Sequence, residues 1–95
     1  MVTLMIKSFK NKQLEKFYKS GIGGSFIDPA QRKKVLRKLD AMDKAEKLDD
    51  LRTPSNRLHK VEGCWTITIA KHYPYRIFFE WNDGNIETVD WRAPH

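Results

Sequence analysis

The sequence holds one cysteine, Cys64, in 95 residues. No internal disulfide can staple the chain, and a reducing compartment is expected. No apolar run approaches the roughly 20 residues that cross a bilayer. The longest uncharged apolar stretch, Cys64 to Ala70, is strand-sized and interrupted by Thr66 and Thr68. The first residues are apolar and the lysines follow, the reverse of a secretory leader, so the expected location is the cytoplasm. Metal-ligand spacing is also missing: His59, His72 and His95 are widely separated, with no CxxC or HExxH beside them. No metal and no cofactor is therefore expected. There is no internal repeat and no low-complexity segment. Acidic residues are the scarcer charge, 12 Asp and Glu against 18 Lys and Arg, for a net charge of +6. On so small a body that surplus favours polyanionic partners.

With 40% apolar and 12% aromatic residues, the chain can form a small core, and its length fits one domain, residues 1–95. Thr3 to Phe9 reads as a strand with Leu4, Ile6 and Phe9 inward. Asn11 is placed to cap a helix that reaches Ser20, with Leu14, Phe17 and Tyr18 at helical spacing and Gly21 just past its end. After the glycine-rich segment GIGGSFI, Asp28-Pro29-Ala30-Gln31 starts a second helix with an N-cap carboxylate and a first-turn proline. Val35, Leu36, Leu39 and Met42 form its apolar stripe, and a last helical stretch is expected through Lys47 and Leu48. Beyond Pro54 the period changes to two. Leu58–Val61, Trp65–Ala70, Tyr75–Trp81 and Asn85–Trp91 read as strands, with a hairpin turn at Asn82-Asp83-Gly84-Asn85. The expected fold is α+β, with two N-terminal helices packed on one face of a mainly antiparallel sheet.

If Ile77, Phe79 and Trp81 face the helices, Arg76 points to the other face, where a cation needs an anion or water beyond it. Arg57, His59 and Lys60 precede it, Lys71 and His72 occupy the hairpin before it, and Asp90, Trp91, Arg92 and His95 close the chain. His59 can act as a general base near neutral pH, or it is a half-exposed strand residue. Arg76 suits a phosphate, or it pairs with Glu80 or Glu87 across the sheet. Asp90 orients a neighbouring group or forms a turn, and Trp91 either stacks on a base or packs in the core. His72 reads as a loop residue and Cys64 as a packed one. The cluster Arg32-Lys33-Lys34 with Arg37-Lys38 is a solvated helix face or a contact for nucleic-acid backbone. Residue chemistry thus reaches an RNA- or phosphate-directed sheet face and does not name a reaction.

Several segments carry a resemblance. Met5-Ile6-Lys7-Ser8-Phe9 resembles the MI-[KR]-SF start of the plasmid-maintenance killer proteins, the HigB branch of the RelE-like toxins. Leu39-Asp40-Ala41-Met42-Asp43-Lys44-Ala45 is similar to that family's L-x-A-[IM]-D-x-A, and Leu48 to Pro54 to its L-x-x-L-R-x-P. Asn56-Arg57-Leu58-His59 continues the match, followed by Gly63-Cys64-Trp65-Thr66-Ile67, Tyr75-Arg76-Ile77-Phe78-Phe79 and Val89-Asp90. Each motif alone is weak, but their order and spacing along nearly the whole chain are specific.

The resemblance implies a toxin of a type II toxin–antitoxin pair that cuts mRNA in the ribosomal A site without a metal and so inhibits translation. Its implied partners are the ribosome, mRNA and a cognate helix-turn-helix antitoxin, with operator DNA bound only through the antitoxin complex and no membrane involved. It also implies a start at Met5. His59 falls on the family's strand histidine, Arg76 on its central arginine and Asp90 on the aspartate of its terminal motif. There the family continues Tyr-His, whereas this chain has Trp91-Arg92-Ala93-Pro94-His95, so Arg92 or His95 takes the histidine's role. In the implied chemistry a ribose 2′-oxygen attacks the adjacent phosphate. His59 or Asp90 is the base, Arg76 stabilises the phosphate, Arg92 or His95 aids the leaving oxygen, and Trp91 stacks on a base. Arg57, Lys60 and Lys71 would hold RNA phosphates. The alternatives are an RNA- or ribosome-binding module without cleavage, and a degenerate toxin that only binds antitoxin.

Overall fold

The computed structural model describes residues 6–93. Helix α1 spans Lys12–Ser20. Asn11 caps it as the sequence predicts, its side-chain oxygen accepting from the Leu14 amide at 3.0 Å. Gly21 ends the helix in the left-handed conformation, φ 77°, which a residue with a Cβ adopts only with strain. Asp28 and Pro29 start the second helix through a 3-10 turn, Pro29–Gln31, before α2 proper at Arg32–Lys44. The last helical stretch expected through Lys47 and Leu48 forms only as a short 3-10 turn. Ala45 is extended, and the Asp50 carboxylate accepts from the Glu46 and Lys47 amides, which sets up a separate 3-10 turn at Leu48–Leu51.

Four strands follow, β1 His59–Val61, β2 Cys64–Thr68, β3 Arg76–Asn82 and β4 Asn85–Arg92. They form an antiparallel meander in the order β1-β2-β3-β4. Of the strand expected over Thr3–Phe9, Leu4 lies outside the described residues. Ile6 and Phe9 make isolated parallel bridges to Ile86 and Val89, so this segment runs beside β4 without becoming a full strand. Leu14 and Phe17 of α1 and Val35, Leu39 and Met42 of α2 share one core with Ile67, Ile77, Phe79, Ile86, Val89 and Trp91 of the sheet. Gly24 is needed for close approach: a Cβ there would sit 2.6 Å from the Phe17 ring.

The N-terminal segment is held by Asp43, a buried carboxylate on α2. It accepts from the Ile6 amide at 3.1 Å and from the Tyr18 hydroxyl at 3.2 Å. Burial first, and then the Asp43 charge, raises the Tyr18 phenol above its ordinary value of 10.0. The folded state therefore holds the phenol proton more tightly than the unfolded chain does. The resulting stability is fully present below pH 10 and is lost as pH rises beyond it. Tyr18→Phe is expected to lower stability at pH 7 by about 1 kcal/mol and to flatten the alkaline decline. Denaturant unfolding of both proteins between pH 7 and pH 11 checks this, and parallel pH profiles contradict it.

Candidate active site

Cross-strand register builds the site. His59 faces Thr66, Thr66 faces Phe78, and Phe78 faces Asp90, so these four side chains form one row across the sheet. The next row is Thr68, Arg76 and Arg92. Regular alternation alone would not produce this arrangement. Glu80 pairs with Glu87 and Phe78 with Asp90, so Phe79 alone on β3 is spanned by Thr88 and Val89 on β4. Thr88 adopts φ 52°, a conformation rare for a β-branched residue, and marks the bulge. Without the extra residue Val89 and Trp91 would share a face with Phe78 and Arg76. With it, Asp90 and Arg92 do.

The bulge is tied down on both sides. The Thr88 hydroxyl donates to the Glu80 carboxylate at 2.6 Å, and the Thr88 amide donates to the Ser8 hydroxyl at 2.9 Å. The Val89 amide donates to the Ser8 carbonyl, and the Val89 carbonyl accepts from Lys10 and Asn11.

His59 is exposed on the edge strand. Its Nδ1 lies 2.8 Å from the Arg57 carbonyl, which can only accept, so Nδ1 carries the proton of the neutral ring. Nε2 is then the acceptor, and Arg76 Nη1 donates to it across a long 3.5 Å. Arg57 turns its carbonyl toward the ring from a left-handed conformation, φ 47°. The Thr66 hydroxyl, fully buried, flanks Nδ1 at 3.3 Å. Among the described residues Arg76 has no carboxylate partner; Glu80 accepts from Thr88 and Glu87 from Asn82.

On the far side of the face both Asp90 oxygens are engaged. Oδ1 accepts from the Trp91 amide at 2.8 Å and Oδ2 from Arg92 Nε at 2.7 Å. Asp90 thereby holds the Arg92 guanidinium over the Phe78 ring, 4.4 Å from its centroid. Three strand spacings separate His59 from Asp90, about 14 Å. Phe78 lies between them, 4% exposed beneath the Arg92 guanidinium, and the two do not meet at one atom.

One expectation is corrected. Trp91 lies on the core side, 7% exposed, its ring stacked on Tyr75 at 5.5 Å and edge-on to Phe26 at 6.1 Å. The bulge sends it there, and its ring offers no surface for a base. Lys60 alternates with His59 and leaves the row. Its ammonium lies over the Trp65 ring at 5.8 Å, with Arg52 near the same ring at 5.9 Å. Arg57 and Lys71 stay exposed and line one groove with Thr68. His95 lies outside the described residues. Thr66, Thr68 and Phe78 were missed by sequence reasoning. For Phe78 a signal existed, an aromatic ring between Arg76 and Glu80 on the polar side of the alternation.

A sheet face that carries an exposed imidazole beside one guanidinium, and a second guanidinium over an aromatic ring, is suited to the phosphodiester of an RNA strand. The comparisons agree in kind. The HigB-like toxin family, described as RelE-like toxin of type II toxin-antitoxin system HigB, matches residues 7–95. The chain is 36% identical to Toxin HigB-1 of Vibrio cholerae serotype O1 over 84 residues, 84% of this chain and 87% of that protein. It is 30% identical to Endoribonuclease HigB of Proteus vulgaris over 96 residues, 96% of this chain and all of that protein. The chain belongs to the HigB-like family of RelE-like toxins of type II toxin–antitoxin systems.

Thr88→Val removes the hydroxyl that answers Glu80 and keeps the strained backbone. A loss of about 1–2 kcal/mol is expected, read as a fall in Tm of roughly 5–10 °C. An unchanged Tm would show that the bulge does not depend on this bond.

Proposed function

We propose that residues 1–95 are one toxin domain whose helices cover one face of the sheet and whose other face cuts mRNA. The observation that carries this reading is the His59 ring. It is held through Nδ1 by the Arg57 carbonyl, with Nε2 turned to Arg76 across a long 3.5 Å contact that an arriving 2′-hydroxyl and phosphate would replace. The family match and the relative named an endoribonuclease support the same chemistry.

In this mechanism Nε2 of His59 takes the proton of a ribose 2′-hydroxyl, and the 2′-oxygen attacks the adjacent phosphorus. The bond from phosphorus to the 5′-oxygen breaks, leaving a 2′,3′-cyclic phosphate and a 5′-hydroxyl. Arg76 lies next to His59 and stabilises the charge growing on the non-bridging oxygens. Arg92, aligned by Asp90, stabilises the leaving oxygen on the opposite side. A guanidinium is too weak an acid to release its proton, so that proton comes from water or from His95. Asp90, with both oxygens taken, is a positioning residue and not the base. No step calls for a metal ion.

With no described group placed as a general acid, the geometry that bends the message is assigned to the ribosome, in whose A site cleavage occurs. The type II family implies an antitoxin partner. We assign that partner the helix-turn-helix class, binding of operator DNA to the joint complex, and the site of action to the cytoplasm. Among the described residues no helix is long and apolar enough to cross a membrane. The altered residue 91 packs in the core and away from the reacting groups, which weighs against a degenerate toxin.

Induction of His59→Ala or Arg76→Ala in growing cells is expected to relieve growth arrest at least a hundredfold in surviving colonies, in line with the usual weight of a general base. Both side chains are solvent-accessible, so thermal unfolding of the purified variants should match the parent. Full toxicity in both variants would remove these residues from the site.

A further inference from the structure

A groove runs from α2 to the rim of this face. Its first part, about 410 Å³, is lined by Lys34, Arg37, Lys38, Asn56 and Ile69, with Asp50 its one carboxylate. Its second part shares Lys34, Ser55 and Ile69 with the first, and adds Arg57, Thr68 and Lys71. It therefore emerges beside His59, whose ring Arg57 holds, and beside Arg76, which Thr68 faces across the strands.

Two features mark the groove as built for an anion. Thr68 is 6% exposed, and its hydroxyl has no hydrogen-bond partner among the described residues. Lys38 is partly withdrawn from water, its ammonium donating to Asn56 Oδ1 at 2.6 Å. Burial, and then the Lys34 charge, pull that ammonium below its ordinary value. An arriving negative charge relieves both costs. Asn56 is itself fixed, its amide donating to the Leu51 carbonyl at 2.9 Å, so the donors are held before any ligand arrives.

We propose that this groove binds the single-stranded RNA that continues from the scissile phosphate, with Lys34, Arg37 and Lys38 following its backbone and the Thr68 hydroxyl donating to a phosphate oxygen. The inference rests on the open face being where RNA is cut. It makes the RNA site longer than the catalytic row, and independent of base identity along α2.

The test is fluorescence anisotropy with a 2′-O-methyl RNA oligonucleotide, which binds but cannot be cleaved, over a range of salt concentration. Lys34→Ala with Arg37→Ala is expected to reduce the slope of log K against log salt by about 1.4, two single-strand phosphate contacts. Lys12→Ala with Lys19→Ala removes the same charge from α1, where both lysines pair with Glu15, and should leave the slope unchanged. Thr68→Val is expected to weaken binding roughly fivefold while thermal stability is kept or raised, since it deletes an unpaired buried hydroxyl.

Equal loss in the α1 control would reduce the effect to net charge and overturn the proposal. So would absence of binding by the parent protein, or a groove variant that keeps RNA affinity while losing antitoxin. The catalytic reading is read separately, from cleavage: a parent that binds with the expected slopes but cuts nothing would retain the groove and refute the nuclease.

Discussion

The site depends on one extra residue in β4. A strand presents alternate side chains to opposite faces, so a single insertion exchanges everything beyond it. Thr88 is that insertion. It brings Val89 and Trp91 into the core and delivers Asp90 and Arg92 to the face that already carries Arg76 and Phe78. The conformation is strained at Thr88, and the structure offsets the strain locally. Glu80 accepts the Thr88 hydroxyl, and the segment from Ser8 to Asn11 takes up the amides and carbonyl that the bulge removes from the sheet ladder. The N-terminal segment is anchored in turn by Asp43 on α2. Core, N-terminal segment and site are thus linked through a single local distortion.

What results is an economical site divided between two sides of an aromatic floor. One side holds an imidazole oriented through Nδ1, with the Arg76 guanidinium at its Nε2. The other holds a guanidinium fixed by a carboxylate. About 14 Å separates the His59 and Asp90 strand positions, and the Arg92 guanidinium reaches back over Phe78 between them. Asp90 spends both oxygens on its own neighbourhood, whereas the only contact of His59 Nε2 among the described residues is the 3.5 Å one to Arg76.

Much of the fold was legible in the sequence because its signals are local. Asn11 and Gly21 bracket α1, Asp28 and Pro29 open the second helix, and period-two alternation after Pro54 marks the strands. The last helical stretch is only a short 3-10 turn from Leu48, because Asp50 within that turn captures the Glu46 and Lys47 amides. In the site, His59 and Arg76 could be read from alternation and from the resemblance. Trp91 and Lys60 could not be assigned to a face. Trp91 depends on a bulge that no residue at 88 announces, since threonine is an ordinary strand former. Lys60 depends on which partner residue β1 pairs with, and that register is settled by tertiary contact.

Primer extension on a defined mRNA, with and without translating ribosomes, tests the central claim most directly. The account predicts discrete cuts only when ribosomes are present, with upstream fragments ending in a 2′,3′-cyclic phosphate and downstream fragments in a 5′-hydroxyl. An intact message on stalled ribosomes would contradict it and leave a toxin that binds without cutting.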